Sequence, residues 1–139
     1  MVAVLSGVDL AMTRRKKPVA SQTLLLVDSD ARSMRMLEVS LRKAGYDVEM
    51  ARDGEEALAA MERRVPDLIL SDWNMPNMTG IEFLNNLRAQ GNQTTFGFVT
   101  SESNPAMKEQ AIAGGAAFLL TKPFDAERLA EVVGAVVSG

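Results

Sequence analysis

The sequence predicts an α/β fold in which five β-strands alternate with five α-helices. Its 139 residues are about one domain's length, and 47% of them are hydrophobic, which is enough to bury a core. From residue 23 onward, short apolar runs alternate with longer segments whose apolar residues recur at helical spacing. Such alternation is typical of a parallel sheet that carries helices on both faces.

The first half of the folded region contributes two strands and two helices. An apolar run at 23–27 predicts the first strand. Apolar residues at helical spacing predict a helix over 31–44, and Gly45 stands where it can end that helix. Residues 46–50 alternate between apolar and polar, which favours a strand with one exposed face, and a second helix is predicted over 54–64.

The second half continues the same alternation. Strands are predicted at 67–70, 96–99 and 117–120, and helices at 80–90, 104–113 and 126–137. Right-handed crossovers leave few ways to order five parallel strands. We predict a flavodoxin-like three-layer sandwich with strand order 2-1-3-4-5, because this order puts the alternating second strand at an edge.

Residues 1–20 show no sustained period, and we expect them to be a basic N-terminal extension to a folded domain at 21–139. They contain four basic residues and one acidic residue, whereas the remaining residues carry 11 basic and 17 acidic groups. An acidic body argues against a nucleic-acid-binding protein. No apolar stretch approaches the roughly 18–20 residues of a membrane span, and 1–12 lacks the pattern of a signal peptide, so we expect a cytoplasmic protein.

The composition also limits the chemistry. There is no cysteine and no histidine. Disulfides, thiolate zinc sites, cysteine nucleophiles and histidine-based acid–base catalysis are therefore excluded for this sequence. Carboxylate, hydroxyl, lysine and backbone groups remain.

Polar residues follow four of the predicted strands. Asp28 follows the first, Asp72 the third, Thr100 the fourth and Lys122 the fifth. In this fold the carboxyl ends of the strands form the ligand crevice. Crowded carboxylates favour a cation between them, and Mg²⁺ commonly takes one or two carboxylate ligands. An Asp beside such a cation can attack a phosphoryl group, whose oxygens would then contact Lys122 and Thr100.

Each of these residues also has an ordinary explanation when taken alone. Asp28 or Asp30 can cap the following helix, Asp72 can belong to a turn, and Lys122 can be a surface cation. Their joint occurrence at the ends of predicted strands is what favours a phosphorylation site.

The same residues carry a family resemblance. Residues 21–138 resemble a CheY-like receiver domain of two-component signalling. The segment 71–80, with the sequence SDWNMPNMTG, is similar to the phospho-acceptor loop of that family, and 98–101 and 122–124 fit it as well. The resemblance implies a cis peptide bond between Lys122 and Pro123.

The resemblance also implies roles for individual residues. Asp72 would accept a phosphoryl group from a histidine kinase or phosphotransfer protein, and Asp28, Asp72 and the main-chain carbonyl of Asn74 would hold Mg²⁺. Thr100 would follow the phosphoryl group, and Lys122 would bridge the acidic pocket. A downstream protein would dock on the face formed by strand 4, helix 4 and strand 5. Such a protein is a signalling switch and not an enzyme.

Two positions depart from the family pattern. The second acid after strand 1, a usual metal ligand, is replaced by Ser29, with Asp30 displaced by one residue. A shift of one residue turns the Asp30 side chain away from the crevice, so we expect Asp30 to cap the helix. Because Ser29 offers no carboxylate, we expect Mg²⁺ to be held weakly. The usual aromatic switch residue is replaced by Leu119, with Phe118 on the opposite face of the strand.

Three other interpretations of the sequence differ in how well the residues support them. Asp28-Ser29-Asp30 fits the D-x-D motif of haloacid-dehalogenase-like phosphatases, although Arg32 stands where that motif needs Thr or Val. A flavodoxin lacks support, because no Ser/Thr/Gly-rich phosphate loop follows the first strand. The strongest alternative is a pseudo-receiver that acts as an unphosphorylated docking module, which Ser29 and Leu119 both favour.

Overall fold

The computed structural model describes residues 22–138, and these form one parallel five-stranded sheet with the order β2-β1-β3-β4-β5. The elements are β1 (Thr23–Val27), α1 (Ala31–Lys43), β2 (Asp47–Ala51), α2 (Gly54–Arg63), β3 (Leu68–Ser71), α3 (Gly80–Ala89), β4 (Phe96–Thr100), α4 (Pro105–Ala113), β5 (Phe118–Thr121) and α5 (Ala126–Ser138). The predicted fold class and strand order are confirmed. The expected N-terminal extension, residues 1–20, lies outside the described residues.

Strand burial follows from position in the sheet. Every residue of β1, β3 and β4 is buried, because helices cover both faces of these central strands. The edge strand β2 is less buried, with Val48 and Ala51 buried and Asp47 and Met50 exposed. The alternation at 46–50 predicts Tyr46 and Val48 correctly, since both are buried, but it is wrong for Met50, which is exposed. Ala51 is buried instead, because it packs in the core layer on the other face of the sheet.

The core consists of two layers, one on each face of the sheet. Neighbouring strand residues point to opposite faces, so Leu24 belongs to one layer and Leu25 to the other. Leu24 packs with residues of α1 and α5, including Leu41 and Leu129. Leu25 packs with residues of α2, α3 and α4, including Phe83. This gives the three-layer sandwich and brings the carboxyl ends of all five strands to one edge.

Within the described part of the chain, no helix is long and apolar enough to span a lipid bilayer.

Candidate functional site: a carboxylate pocket at the strand ends

The side chains that follow β1, β3 and β5 meet at this edge. In the sheet, Val27 lies beside Ser71, so Asp28 and Asp72 leave neighbouring strands at the same level. Lys122 reaches between them, with its Nζ 3.2 Å from Asp28 Oδ2 and 4.0 Å from Asp72 Oδ2. We call Asp28, Asp72, Thr100 and Lys122 the carboxylate pocket.

Asp28 is the inner carboxylate of the pocket. Its side chain is only 2% exposed, so each of its oxygens needs a partner. Oδ1 accepts the backbone N–H of Asp30 at 2.8 Å, and Oδ2 accepts a hydrogen bond from Lys122. Its own N–H donates to the carbonyl of Ala51 on β2 at 3.1 Å. These bonds give the Asp28 carboxylate a fixed orientation.

Asp72 is the outer carboxylate, with a side chain that is 14% exposed. Its Oδ1 accepts the N–H of Trp73 at 2.7 Å. Burial raises the pKa of Asp72, and the negative charge of Asp28 raises it further, although Lys122 and the backbone N–H groups of Trp73 and Asn74 oppose both effects. Two carboxylates face one ammonium, so the pocket has an excess of negative charge that a cation would neutralise.

Thr100 ends β4 with no exposed surface. Its carbonyl accepts the N–H of Lys122 at 2.7 Å, which ties the end of β4 to the start of the segment after β5. Its Oγ1 accepts the N–H of Glu102 at 3.4 Å, and the Glu102 carboxylate accepts from Asn74 Nδ2 at the same distance. These two long contacts join the loops after β3 and β4 at the rim of the pocket.

Tight packing holds the loop after β3 in place. The N–H of Gly80 donates to the carbonyl of Trp73 at 2.7 Å. A Cβ atom at position 80 would overlap the carbonyl oxygen of Asp72 and lie 2.9 Å from the ring of Phe98, so this close approach requires glycine. Trp73 is itself buried against Phe98, with ring centroids 4.8 Å apart. Thr79 and Glu82 form a reciprocal capping box that starts α3 directly after the loop.

Lys122 has a second partner that the sequence did not indicate. Its Nζ donates to the hydroxyl of Ser33, the third residue of α1, at 2.6 Å. The peptide bond between Lys122 and Pro123 is cis, as the family resemblance implies. The Ser33 contact joins residues 89 positions apart. No local pattern could have revealed it, because it depends on how α1 packs beside the end of β5.

The two residues after Asp28 do not add a third carboxylate to the pocket. Ser29 is exposed, and the Asp30 side chain accepts the N–H of Arg32 at 3.1 Å as the N-cap of α1. Among residues 22–138 there is no group of three His, Cys, Asp or Glu side chains that could hold a metal ion. The remaining set of two carboxylates and the expected Asn74 carbonyl consists of hard oxygen donors. It therefore fits Mg²⁺, although with few protein ligands.

Leu119 occupies the switch position on β5, and its neighbour Phe118 points to the opposite face of the sheet, as the strand period predicts. Leu119 is half-buried against the layer that contains α4, and Phe118 packs with the layer that contains α1 and α5. The Phe118 ring also lies where a Cβ atom on Gly97 would be, so glycine at that position makes room for it. No aromatic ring of β5 therefore lies on the α4 side of the sheet.

Comparison with known proteins identifies the family. The model of the response regulator receiver domain matches residues 24–134. The transcriptional regulatory protein TrcR of Mycobacterium tuberculosis is 32% identical over 76% of this chain, and the match spans 41% of TrcR. The probable chemotaxis protein CheY of Rhizobium etli is 33% identical, and the match covers 81% of this chain and 90% of that protein.

A solved structure agrees with this result. The chemotaxis protein CheY4 of Vibrio cholerae is 39% identical and superposes with a TM-score of 0.79, covering 84% of this chain and 98% of that one. The chain spans about half or less of the length of the transcriptional regulators it matches, but nearly the full length of the CheY proteins. Fold, site geometry and sequence similarity agree, and the chain belongs to the CheY-like receiver domains of two-component response regulators.

Proposed function

We propose that this receiver domain accepts a phosphoryl group on Asp72 from the phosphohistidine of a histidine kinase or phosphotransfer protein. One observation carries the proposal: Asp72 is the more exposed of two carboxylates that share one ammonium, that of Lys122. Asp28, which is almost fully buried and hydrogen-bonded through both oxygens, is less accessible to a phosphodonor.

The chemistry of the transfer follows from these side chains. A carboxylate oxygen of Asp72 attacks the phosphorus, the P–N bond of the donor breaks, and the released imidazole takes a proton from solvent. The Lys122 ammonium offsets the negative charge of the phosphoryl oxygens, and the Thr100 hydroxyl donates a hydrogen bond to one of them. Thr100 ends β4, which lies beside β3. Lys122 follows β5, and its ammonium already lies 4.0 Å from Asp72 Oδ2, so little rearrangement of the backbone is needed.

The metal belongs to the same proposal. Receiver domains generally bind Mg²⁺ at their acidic site, and here Asp28, Asp72 and the main-chain carbonyl of Asn74 would hold it. When bound, Mg²⁺ supplies positive charge that offsets the carboxylates and the incoming phosphoryl group. With Ser29 in place of a carboxylate, we expect water to complete a larger share of the coordination.

The partners are proposed from the family role, in which receiver domains interact with histidine kinases and with downstream targets. We place the downstream target of this chain on the surface of β4, α4 and β5, and we propose residues 21–139 as the domain, preceded by a basic extension at 1–20. The matched relatives are response regulators, which act as signalling switches.

The second candidate function is a pseudo-receiver that docks on a partner without being phosphorylated. Two observations favour it: Ser29 is exposed at a position where the family has a metal ligand, and Leu119 supplies no aromatic ring on the α4 side. The two functions differ in whether Asp72 reacts.

Incubation with acetyl phosphate and Mg²⁺, followed by intact mass measurement, separates the candidates. We expect a species heavier by one phosphoryl group in the wild type and none in Asp72→Asn. Asp47→Asn is a matched control, because Asp47 lies at the opposite end of the sheet in an ion pair with Arg64. A wild-type protein that never gains mass supports the pseudo-receiver, and steady phosphate release that depends on Asp28 supports a phosphatase.

A further inference from the structure

We propose that Ser33 is a positioning residue for Lys122, and that its hydroxyl holds the ammonium so that one N–H is directed at the phosphoryl group on Asp72. The inference rests on the proposed phosphorylation of Asp72. It assigns a role to a residue on α1, outside the four residues of the carboxylate pocket.

The distances around Lys122 Nζ support this role. The ammonium has three donors. Ser33 Oγ at 2.6 Å and Asp28 Oδ2 at 3.2 Å occupy two of them. Asp72 Oδ2 is 4.0 Å away, which is too far for a hydrogen bond. The third donor is therefore left for an oxygen that arrives between Lys122 and Asp72.

Ser33 is well placed to fix the direction of that third donor. A lysine side chain has four rotatable carbons, and a single contact with Asp28 would leave the ammonium free to turn about it. Ser33 lies in the first turn of α1, where the Asp30 cap holds the helix start. A second contact from this separate, rigid element restricts the rotation. An ammonium that is already held in this orientation lowers the barrier of the proposed phosphoryl transfer.

The surroundings of Ser33 allow a sharp test. A cavity of about 380 Å³ lies between α1 and the start of α5, and Ser33, Met36, Lys122 and Phe124 are among the residues that line it. One extra methyl group at position 33 therefore has room. Threonine and valine have the same shape and a similar helix propensity, but only threonine keeps the hydroxyl.

The experiment compares Ser33→Thr with Ser33→Val in full-length protein, using acetyl phosphate and Mg²⁺ as phosphodonor mixture. We expect Ser33→Val to gain phosphate roughly threefold to tenfold more slowly, the range for one lost hydrogen bond, and Ser33→Thr to stay within about twofold of the wild type. Equal rates in the two variants would show that position 33 matters only for packing, or not at all.

A double-mutant cycle tests whether Ser33 acts through Lys122. In a Lys122→Ala background, we expect Ser33→Val to cause no further slowing, because the group that Ser33 positions is gone. If Ser33→Val slows the reaction by the same factor with and without Lys122, the positioning role is wrong.

A spectroscopic measurement separates this inference from the proposed function. In protein labelled with ¹⁵N-lysine, we expect an NMR signal from the Lys122 ammonium in the wild type and in Ser33→Thr, because hydrogen bonding slows the exchange of its protons with water. We expect this signal to be lost in Ser33→Val. This signal requires no phosphate transfer. A wild type that takes up no phosphate on Asp72 refutes the proposed function, whereas normal phosphorylation with identical Thr and Val variants refutes only the role of Ser33.

Discussion

The carboxylate pocket and the surface of α4 and β5 are built in different ways, although they lie on neighbouring strands. In the pocket, every charged side chain takes part in directed hydrogen bonds. Asp28 and Asp72 each accept a backbone N–H from the loop that follows them, and Lys122 donates to Asp28 and to Ser33. On the other surface, β5 is only partly buried, Ile112 is 74% exposed, and a groove of about 220 Å³ runs between α4 and β5.

The link between these two regions passes through β4. Thr100 lies in the pocket, and two residues before it Phe98 is paired in the sheet with Leu119 of β5. Leu119 has neither a ring to swing between two positions nor a hydroxyl to bond with Thr100. The charged groups of the pocket are therefore held by specific hydrogen bonds, whereas the α4–β5 surface lacks the aromatic side chain of the family pattern.

The largest expected effect is on the free energy of unfolding, and it compares the packing of the loop after β3 with the packing at the end of α4. Gly80→Ala should lower the free energy of unfolding by about 2–3 kcal/mol, because the new Cβ overlaps backbone atoms of Asp72 that cannot move away. Gly114→Ala, at the end of α4, should cost under about 1 kcal/mol, since the Cβ meets a terminal methyl group of Leu84 at 2.8 Å and the carbonyl oxygen of Gln110 only at 3.4 Å. Urea unfolding of both variants measures the difference. Equal costs would show that the loop after β3 is no tighter than the end of α4.

The next effect concerns the metal. Ser29→Asp should tighten Mg²⁺ binding at least tenfold, because the change adds a charged oxygen at a ligand position. Loss of a residue that only hydrogen-bonds to a metal ligand already costs about 10–100-fold in metal affinity. Mg²⁺ titration followed by Trp73 fluorescence is the measurement, since Trp73 follows Asp72 directly and packs on Phe98. We expect the wild type to saturate only in the millimolar range or above. Equal affinities in the two proteins would show that position 29 is not the missing ligand position.

A smaller effect follows from the raised pKa of Asp72. A carboxyl whose folded-state pKa lies above its unfolded value stabilises the fold in acid, and that stability is lost as pH rises through the raised pKa. At neutral pH without Mg²⁺, Asp72→Asn should therefore raise the free energy of unfolding by about 1 kcal/mol, seen as a melting temperature a few degrees higher.

The pH dependence provides the control for this prediction. The advantage of Asp72→Asn should shrink as pH falls towards the ordinary carboxyl pKa of 3.8, where the wild-type side chain becomes neutral as well. Asp47→Asn removes an exposed ion pair and should change stability by less than about 0.5 kcal/mol. A gain for Asp72→Asn that persists unchanged into acid would contradict the electrostatic explanation.

The smallest expected effect is on partner binding at the α4–β5 surface. Because Leu119 has neither a ring nor a hydroxyl, we expect it to couple weakly to Thr100. Phosphorylation should then change the affinity for a partner on this surface only a few-fold, and Leu119→Tyr should enlarge the change. Titration of the isolated partner against phosphorylated and unphosphorylated protein measures the ratio. A hundredfold ratio in the wild type, about 2.7 kcal/mol, would place the switch in another element.

The sequence by itself determined the fold and most of the candidate site. Periods of two and 3.6 residues placed all ten elements within one to two residues of their observed ends, because helix faces and strand faces must match the core layers. The same period of two placed Leu119 and Phe118 on opposite faces. The capping role of Asp30 was predictable as well, since a carboxylate directly before a helix bonds its first N–H groups.

Only the tertiary structure decided which groups share the Lys122 ammonium. The sequence put Asp28, Asp72 and Lys122 at one edge, but it could not rank their contacts or include Ser33, which lies on α1. The same holds for Gly80, whose need for glycine arises from the carbonyl of Asp72 and the ring of Phe98. Both depend on differences of a few tenths of an ångström in the distances between separate elements of the fold. Packing of the whole domain sets such distances, and local residue patterns carry no information about them.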